Sequence, residues 1–199
     1  MSERLLLLYG PSPDHENLRE ALAERHIRCV SIKTQPVQTD VERLTATFES
    51  HGSFGGLALL PFAGSVDDTS ESRSFDISDR LGDVFAGIKA ALSLHERNGV
   101  PGRLISILPA EAAMGDPNDI VGSALAGAML SLFRTTALEL KGTSSSANTL
   151  MYHRSASGRI GEPQALAAMI DTLLDTGSAA VNGQEIFAAG AADVGRLRP

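Results

Sequence analysis

The sequence contains no tryptophan, a single cysteine and few aromatic residues, which make up 5% of its 199 positions. The one cysteine, Cys29, excludes an internal disulfide and a cysteine-based metal cluster, and we interpret it as a small buried residue on a strand. Clustered basic residues are also missing and the formal net charge is −7, which argues against a nucleic-acid partner because phosphate binding depends on lysine and arginine. With 43% hydrophobic and 21% charged residues the composition is globular, so the core must be aliphatic and rich in alanine.

Long hydrophobic runs are absent near the start of the chain. The run from Leu5 to Tyr9 has five residues, too few for a signal peptide or a membrane span. We therefore expect a cytoplasmic protein with no membrane partner. A chain of this length suits one domain that buries about 70% of its unfolded surface, so we predict a single domain over residues 1–199.

Short apolar runs alternate with helical patterns along the whole chain. The patterns predict strands at 4–9, 28–33, 56–61, 102–109, 148–152 and 183–189, and helices at 17–26, 41–51, 75–97, 119–140 and 162–175. Such an alternation predicts an α/β fold with a mostly parallel sheet of about six or seven strands and helices on both sides.

The longest helical pattern, residues 119–140, is the segment around which the rest is organised. Its apolar residues recur at helical spacing, Asp119 can cap its start, and Gly142 follows its end. Its first half is almost free of large side chains, which costs helix propensity and is explained if another backbone packs closely against it.

Four segments of the chain resemble the short-chain dehydrogenase/reductase family, especially its ketoacyl-reductase and hydroxyacyl-dehydrogenase-like branch. They are the helix at 119–140 with its ALEL ending, GRLISIL at 102–108, GRIGEP at 158–163, and VNGQEIFAAG at 181–190. The resemblance implies one Rossmann-like, doubly wound domain. In it, residues 1–64 correspond to a degenerate nucleotide-binding half and 75–190 to the half with the assembly helices.

The resemblance also implies that the chain is truncated relative to the family. Little room is left between the second strand and the second helix, where 34–40 is all that remains of an extra helix and strand. After the strand at 148–152 the usual substrate lid is missing.

The family's four catalytic positions are all substituted. In the register set by Arg134 and the ALEL ending, the catalytic tyrosine position falls on Gly122 and the lysine position on Ala126. The serine position falls on Pro109 and the asparagine position on Arg80. Losing one positioned acid or base typically costs about 10²–10⁴ in rate, so we expect no catalytic residues of the family type in this chain.

This expectation does not depend on the register. The only tyrosines, Tyr9 and Tyr152, are followed four residues later by Pro13 and Ala156, so no Y-x-x-x-K motif exists.

The cofactor turn of the family is degenerate as well. The chain keeps Gly10 but has Asp14, His15 and Glu16 where the later glycines belong. Two carboxylates next to a diphosphate cost on the order of a few kcal/mol at an effective dielectric constant of about 20. We therefore expect no cofactor in this chain, with NAD(P) bound by a partner subunit instead.

Other polar groups give weaker signals. His15 with Glu16, or His153 with Arg154, can lie at the carboxyl ends of strands, where open α/β sheets bind ligands, although solvated loop residues are the simpler interpretation. We predict no metal site, because the remaining histidines and acidic loop residues lack ligand spacing. These residues are His26, His51, His95, Asp67, Asp68 and Glu71.

The leading hypothesis is a pseudo-enzyme: a degenerate short-chain dehydrogenase that forms a heterodimer or heterotetramer with a catalytically intact relative and stabilises or regulates it. The resemblance implies a hydroxyacyl or ketoacyl thioester, such as an acyl-CoA, as the substrate of the complex. The residues predicted for the assembly interface are Phe85, Ile88, Leu92, Leu125, Met129, Leu132, Phe133, Ile186 and Phe187.

Two alternatives stay open. One is a stand-alone module or sensor that binds a small ligand at the strand ends, and the other is an enzyme of a different mechanism in the same crevice, using His15 or His153.

Overall fold

The computed structural model describes residues 4–11, 16–34, 41–62, 77–155 and 160–188. Several residues named above lie outside these ranges. They are Pro13, Asp14, His15, Asp67, Asp68, Glu71 and Ala156.

The described chain alternates strands and helices from end to end. The strands are Arg4–Gly10 (β1), Ile27–Lys33 (β2), Gly56–Leu59 (β3), Arg103–Pro109 (β4), Ser146–Tyr152 (β5) and Glu185–Phe187 (β6). The helices are Glu16–Ala23 (α1), Val41–Ser50 (α2), Ile77–Asn98 (α3), Ala110–Met114 (α4), Ile120–Glu139 (α5) and Pro163–Leu174 (α6), followed by a 3₁₀ turn at Thr176–Ala180. All six strands are parallel and form one sheet in the order β2-β1-β3-β4-β5-β6. This confirms the predicted fold class.

The structure differs from the prediction in several element boundaries and in one additional helix. The first helix ends at Ala23 rather than at residue 26, because His26 has a φ of 57° as the chain turns into β2. The last strand begins only at Glu185, after Gly183 turns the chain with a φ of 73°. The short helix α4, between β4 and α5, was not predicted.

Alternate residues of each strand face opposite layers of helices. In β1, Leu5 and Leu7 belong to a core formed with α2, α3 and α5, whereas Leu6 and Leu8 belong to a core formed with α1 and α6. Both faces of the central strands are therefore buried, which explains the continuous apolar runs of β1 and β3.

Helix α5 is the only helix of the described segments with the length and composition of a membrane span. The helix has 20 residues, and its most apolar stretch has a mean hydropathy of 1.3. Of that stretch, 39% is buried within the chain. A single helix of this kind is weak support for a membrane, because core helices pass the same test. Leu125 and Met129 are fully buried against the sheet, so we interpret α5 as a core helix.

Four residues predicted for the assembly interface lie inside this core. Ile88, Leu125, Met129 and Phe133 are each at most 4% exposed. The expectation for these four is corrected, because side chains that pack against the chain's own sheet are not available to a partner. Helical spacing identifies an apolar stripe but does not say whether that stripe faces the sheet or the outside.

The other five predicted interface residues are at least partly accessible. Phe85 is 52% exposed and Phe187 is 36% exposed. Three more are partly buried: Leu92, Leu132 and Ile186.

Two asparagine side chains fasten the short strand β6 to the rest of the sheet. The Asn182 side chain accepts a hydrogen bond from the Ala147 backbone N–H (2.9 Å) and donates one to the Ala137 carbonyl (2.8 Å). Asn148, which is buried in β5, donates to the Val181 carbonyl (2.8 Å). Because buried amides are costly unless paired, these bonds fix the turn that precedes β6.

A buried histidine lies near the end of α3, at the opposite edge of the sheet from the strand carboxyl ends. His95 is 3% exposed, and its ring meets Phe54 edge-on with centroids 4.7 Å apart. Its Nε2 atom is buried without a hydrogen-bond partner in the described structure. Burial, and secondarily the positive charge of Arg103, lowers the pKa of His95 to about 4.

We predict that His95 makes the fold acid-sensitive. The unfolded chain binds a proton at His95 near pH 6.5 and the folded chain only near pH 4, so its contribution to stability is complete above pH 6.5 and is lost as the pH falls. Between pH 8 and pH 5 this site should lower the free energy of unfolding by about 2 kcal/mol.

Denaturant unfolding at several pH values, with His95→Asn as the matched variant, measures this effect. The variant should be less stable than the wild type at pH 8 but should lose less stability on acidification. Equal losses in the two proteins would show that His95 is not the titrating group.

Candidate functional site

The carboxyl ends of the parallel strands meet at one edge of the sheet, where open α/β folds bind their ligands. In this chain β1 ends there at Gly10, β3 at Leu59, β4 at Pro109 and β5 at Tyr152. The segments that follow these strands line the candidate site, which is called the crevice below.

Gly10 is required by the close approach of two backbones. A Cβ atom at this position would lie 2.0 Å from the carbonyl oxygen of Leu60. The contact arises because β1 and β3 are neighbours, and the Leu60 N–H donates to the Tyr9 carbonyl at 2.8 Å. Packing therefore explains Gly10 without reference to a phosphate.

The start of α1 is joined to the opposite side of the crevice. The Asn17 side-chain amide donates to the carbonyl oxygen of Ile160 at 2.8 Å, which links α1 to the segment before α6. Glu16, the first residue of α1, brings a carboxylate to the helix end whose partial positive charge favours anions. This helix end therefore already has a negative group of the chain beside it.

Asp119 occupies the space that a side chain at position 122 would need. It precedes α5, and its carboxylate accepts a hydrogen bond from the Gly122 N–H at 2.8 Å. A Cβ atom on Gly122 would lie 2.2 Å from a carboxylate oxygen of Asp119. A side chain at position 122, which the sequence register aligns with the family's tyrosine, would therefore require the Asp119 carboxylate to shift.

The other three family positions carry no comparable chemistry. Ala126 is fully buried in the core, and Pro109 is buried at the junction of β4 and α4. Arg80 lies partly exposed in the first turn of α3. A methyl group, a pyrrolidine ring and a guanidinium cannot replace a lysine, a serine and an asparagine in proton transfer.

Both tyrosines are buried. Tyr9 is 2% exposed and packs edge-on against Phe48 with ring centroids 5.8 Å apart, and Tyr152 is 3% exposed. Burial is the main cause that raises the pKa of both phenols. Neither side chain is suited to exchange a proton with a ligand near neutral pH.

A glutamate–histidine pair lies where β4 and β5 end. The Glu111 carboxylate is 2.9 Å from Nδ1 of His153 and also accepts the Arg154 backbone N–H at 3.3 Å. Sequence analysis named His153 and Arg154 but missed Glu111. The available signal was its position two residues after the end of a strand, next to the predicted β5.

Arg154 extends across the crevice. Its guanidinium lies 4.0 Å from the Asp119 carboxylate and 5.8 Å from the centre of the Phe62 ring. Such partly exposed contacts contribute at most about 1 kcal/mol each to stability. Their main effect is that the Arg154 side chain takes up room in the crevice. Side chains from the segments after β3, β4 and β5 meet one another in the crevice.

The described residues contain no group of three histidine, cysteine, aspartate or glutamate side chains placed to hold a metal ion. Within the crevice, Glu111 is paired with His153, and Asp119 both caps α5 and faces Arg154. Each charged group therefore has a role within the chain.

A further cavity of the described structure lies between the first helix and the second strand. It is an open groove of about 830 Å³, and Cys29 is among its lining residues. Burial raises the pKa of the Cys29 thiol to about 11, so the thiolate is scarce at neutral pH and Cys29 is not a reactive nucleophile.

We predict that Gly10→Ala lowers the free energy of unfolding by about 2–4 kcal/mol, because the new methyl group would collide with the Leu60 carbonyl. Gly82→Ala is the control, since position 82 lies in α3 and a methyl group added there would have nothing within 4 Å, so the change should be neutral or mildly stabilising. Denaturant unfolding measures both. Equal stabilities would contradict the packing role of Gly10.

No family model matches the sequence, and no curated protein matches it. Solved structures do. The chain superposes on an acetoin dehydrogenase from Enterobacter cloacae with a TM-score of 0.74 at 15% identity, covering 100% of both chains. It also matches the ligand-free aldohexose dehydrogenase of Thermoplasma acidophilum (TM-score 0.68, 15% identity, 99% and 96% coverage) and a Serratia marcescens short-chain dehydrogenase/reductase (TM-score 0.67, 18% identity, 95% and 97% coverage). The chain therefore has the Rossmann-like fold of short-chain dehydrogenase/reductase structures.

Proposed function

We propose that this chain is a non-catalytic subunit that assembles with a catalytically intact short-chain dehydrogenase and stabilises or regulates it. The observation that carries the proposal is the set of large apolar side chains exposed on the outer sides of α3 and α5. A second, independent support is that the chain's own side chains extend into the crevice.

The outer surface of α5 has no charge over most of its length. Residues 120–133 include no charged side chain, and Ile120 is 76% exposed. Leu138, 18 residues later and so on the same side of the helix, is 72% exposed, and Val121 is 44% exposed. The exposed apolar side chains lie at the two ends of this side of α5, with Gly127, Ser131 and Arg134 exposed between them. Exposed apolar groups of this size are typical of an interface when they form a patch with neighbouring ones.

Helix α3 extends this surface. It packs beside α5 on the same face of the sheet, and Phe85 stands 52% exposed on its outer side. Lys89 lies 5.5 Å from the centre of the Phe85 ring and is a cation on this otherwise apolar patch. We call the surface made by Phe85, Ile120, Val121 and Leu138 the α3–α5 face.

The crevice supports the absence of catalysis in this chain. The Asp119 carboxylate lies against position 122, and the Arg154 side chain crosses the crevice to Asp119. The Asn17 side chain is hydrogen-bonded to the Ile160 carbonyl. A dinucleotide would have to displace these contacts. We propose that NAD(P) binds only to the partner subunit, that the complex is cytoplasmic, and that it acts on a hydroxyacyl or ketoacyl thioester, the substrate class implied by the sequence resemblance.

We predict a stable mixed dimer or tetramer when the chain is coexpressed with the short-chain dehydrogenase encoded nearest to it, as measured by native mass spectrometry. The double variant Phe85→Lys/Leu138→Lys should weaken this assembly at least about tenfold, because two charges would be buried in an apolar contact. Val100→Lys makes the same kind of change at a 37% exposed position just after α3 and should leave the assembly intact.

The oxidoreductase activity of the mixture completes this test. It should vanish when the partner's catalytic tyrosine is replaced and should depend on the presence of this chain. A chain that stays separate from its neighbour, or a mixture no more active or stable than the partner alone, would refute the proposal.

We also predict that the isolated chain does not bind NADH or NADPH. Millimolar dinucleotide should leave its melting temperature unchanged, whereas a ligand at 100 times its Kd stabilises a fold by about 2.7 kcal/mol. The intact partner serves as the positive control. A clear upward shift for the isolated chain would overturn the proposed loss of cofactor binding.

A second candidate, a small-ligand module, is favoured by the convergence of Glu111, His153 and Arg154 at the strand ends. These groups would suit a ligand with both hydrogen-bond donors and an anionic group. Ligand copurified with a homodimer, together with its loss in His153→Ala, would favour this function over the subunit role.

A further inference from the structure

The outer edge of β2 is the least protected edge of the sheet. β2 pairs with β1 over all seven of its residues, and no strand among the described residues pairs with its other side. Natural edge strands are usually protected by shortness, prolines, bulges or charges. The sequence of β2, IRCVSIK, contains no proline or glycine, and its three central residues, Cys29 to Ser31, are uncharged.

The groove between α1 and β2 runs along this edge. Its lining includes Ile27 and Cys29 from the strand. Its charges are unevenly distributed, since Glu16 and Glu20 come from the earlier part of α1, whereas Arg28 and the neighbouring histidine lie at the start of β2. Because α1 returns the chain from the end of β1 to the start of β2, the end of the groove with Glu16 and Glu20 lies opposite the end with Arg28. Arg19 lies between the two glutamates, so the first end carries two carboxylates and one guanidinium.

We propose that a second copy of this chain occupies this edge, with the two β2 strands paired antiparallel about a two-fold axis at Val30. The two six-stranded sheets then form one continuous sheet of twelve strands, and each helical layer continues into the corresponding layer of the second copy. The contact is isologous, as closed dimers require.

The register follows from the charges on β2. With Val30 opposite Val30, all seven residues find a partner, and Arg28 lies opposite Ile32 of the second copy. Shifting the pairing by one residue in one direction would place Arg28 opposite Lys33, and like charges directly opposite each other are destabilising. The centred register keeps the two cations apart.

The groove supports the same arrangement. Antiparallel pairing brings the end of one groove that carries Glu16 and Glu20 toward the end of the other that carries Arg28. Each groove therefore offers the other a group of opposite charge. A second copy can supply both backbone hydrogen-bond partners for β2 and charges that match those of the groove.

This dimer is separate from the proposed partner assembly. The β2 edge lies at the end of the sheet, whereas the α3–α5 face lies on the outside of one helical layer. A single chain can use both surfaces, so either proposal can fail without the other.

The first test is the mass of the isolated chain and its variants in solution. The wild type should be a dimer at micromolar concentration, and Val30→Lys should raise the dimer dissociation constant at least about tenfold by placing two like charges opposite each other. Phe85→Lys/Leu138→Lys should remain dimeric. A monomeric wild type, or a dimer lost only in the Phe85 and Leu138 variant, would overturn the proposal.

Disulfide trapping tests the register and does not require the strand to tolerate a charge. Opposite residues of an antiparallel pair have Cα atoms about 4.5–5.5 Å apart, which suits a disulfide. The variant Cys29→Ser/Val30→Cys should therefore cross-link two copies under mild oxidation. The control Cys29→Ser/Thr172→Cys, whose new thiol lies on the exposed side of α6, should not. Equal cross-linking of both variants, or of neither, would refute the register.

Discussion

The burial of the parallel sheet on both faces is the constraint on which the rest of this structure depends. Because the central strands have no solvated face, their residues must be apolar or, like Asn148, hydrogen-bonded within the chain, and each connection must return over a helix. Polar side chains are therefore concentrated in the segments beyond the strand ends. The same constraint makes close backbone contacts necessary inside the sheet, as at Gly10 against Leu60.

Open α/β folds bind ligands at the carboxyl ends of their strands. In this chain the chain's own polar groups contact one another in that region. Asp119 caps α5 through the Gly122 N–H and also faces Arg154, so a single carboxylate connects helix capping to the closure of the crevice. A larger residue at position 122 would require this carboxylate to shift, so the start of α5 and the contact with Arg154 would change together.

The sequence predicts the fold well because alternating strands and helices of this length have few ways to pack. It predicts individual sites less well, and particular residues show why. Gly10 looked like the remnant of a phosphate-binding turn, but its contact with Leu60 depends on a strand 46 residues away. Glu111 was missed because its partner His153 is distant in sequence and is brought close only by the pairing of β4 with β5. Ile88 and Leu125 were assigned to a surface because a helical pattern gives the spacing of an apolar stripe and not its direction.

The apolar residues exposed at the two ends of α5 have a consequence for how copies of the chain behave together in solution. A net charge of −7 makes whole molecules repel one another at a distance, while Ile120 and Leu138 attract once two surfaces touch. At physiological ionic strength, salt screens the repulsion between the charges beyond about 8 Å and leaves the apolar attraction almost unchanged. The colloidal stability of the isolated chain is thus governed by ionic strength, with low salt keeping its molecules apart.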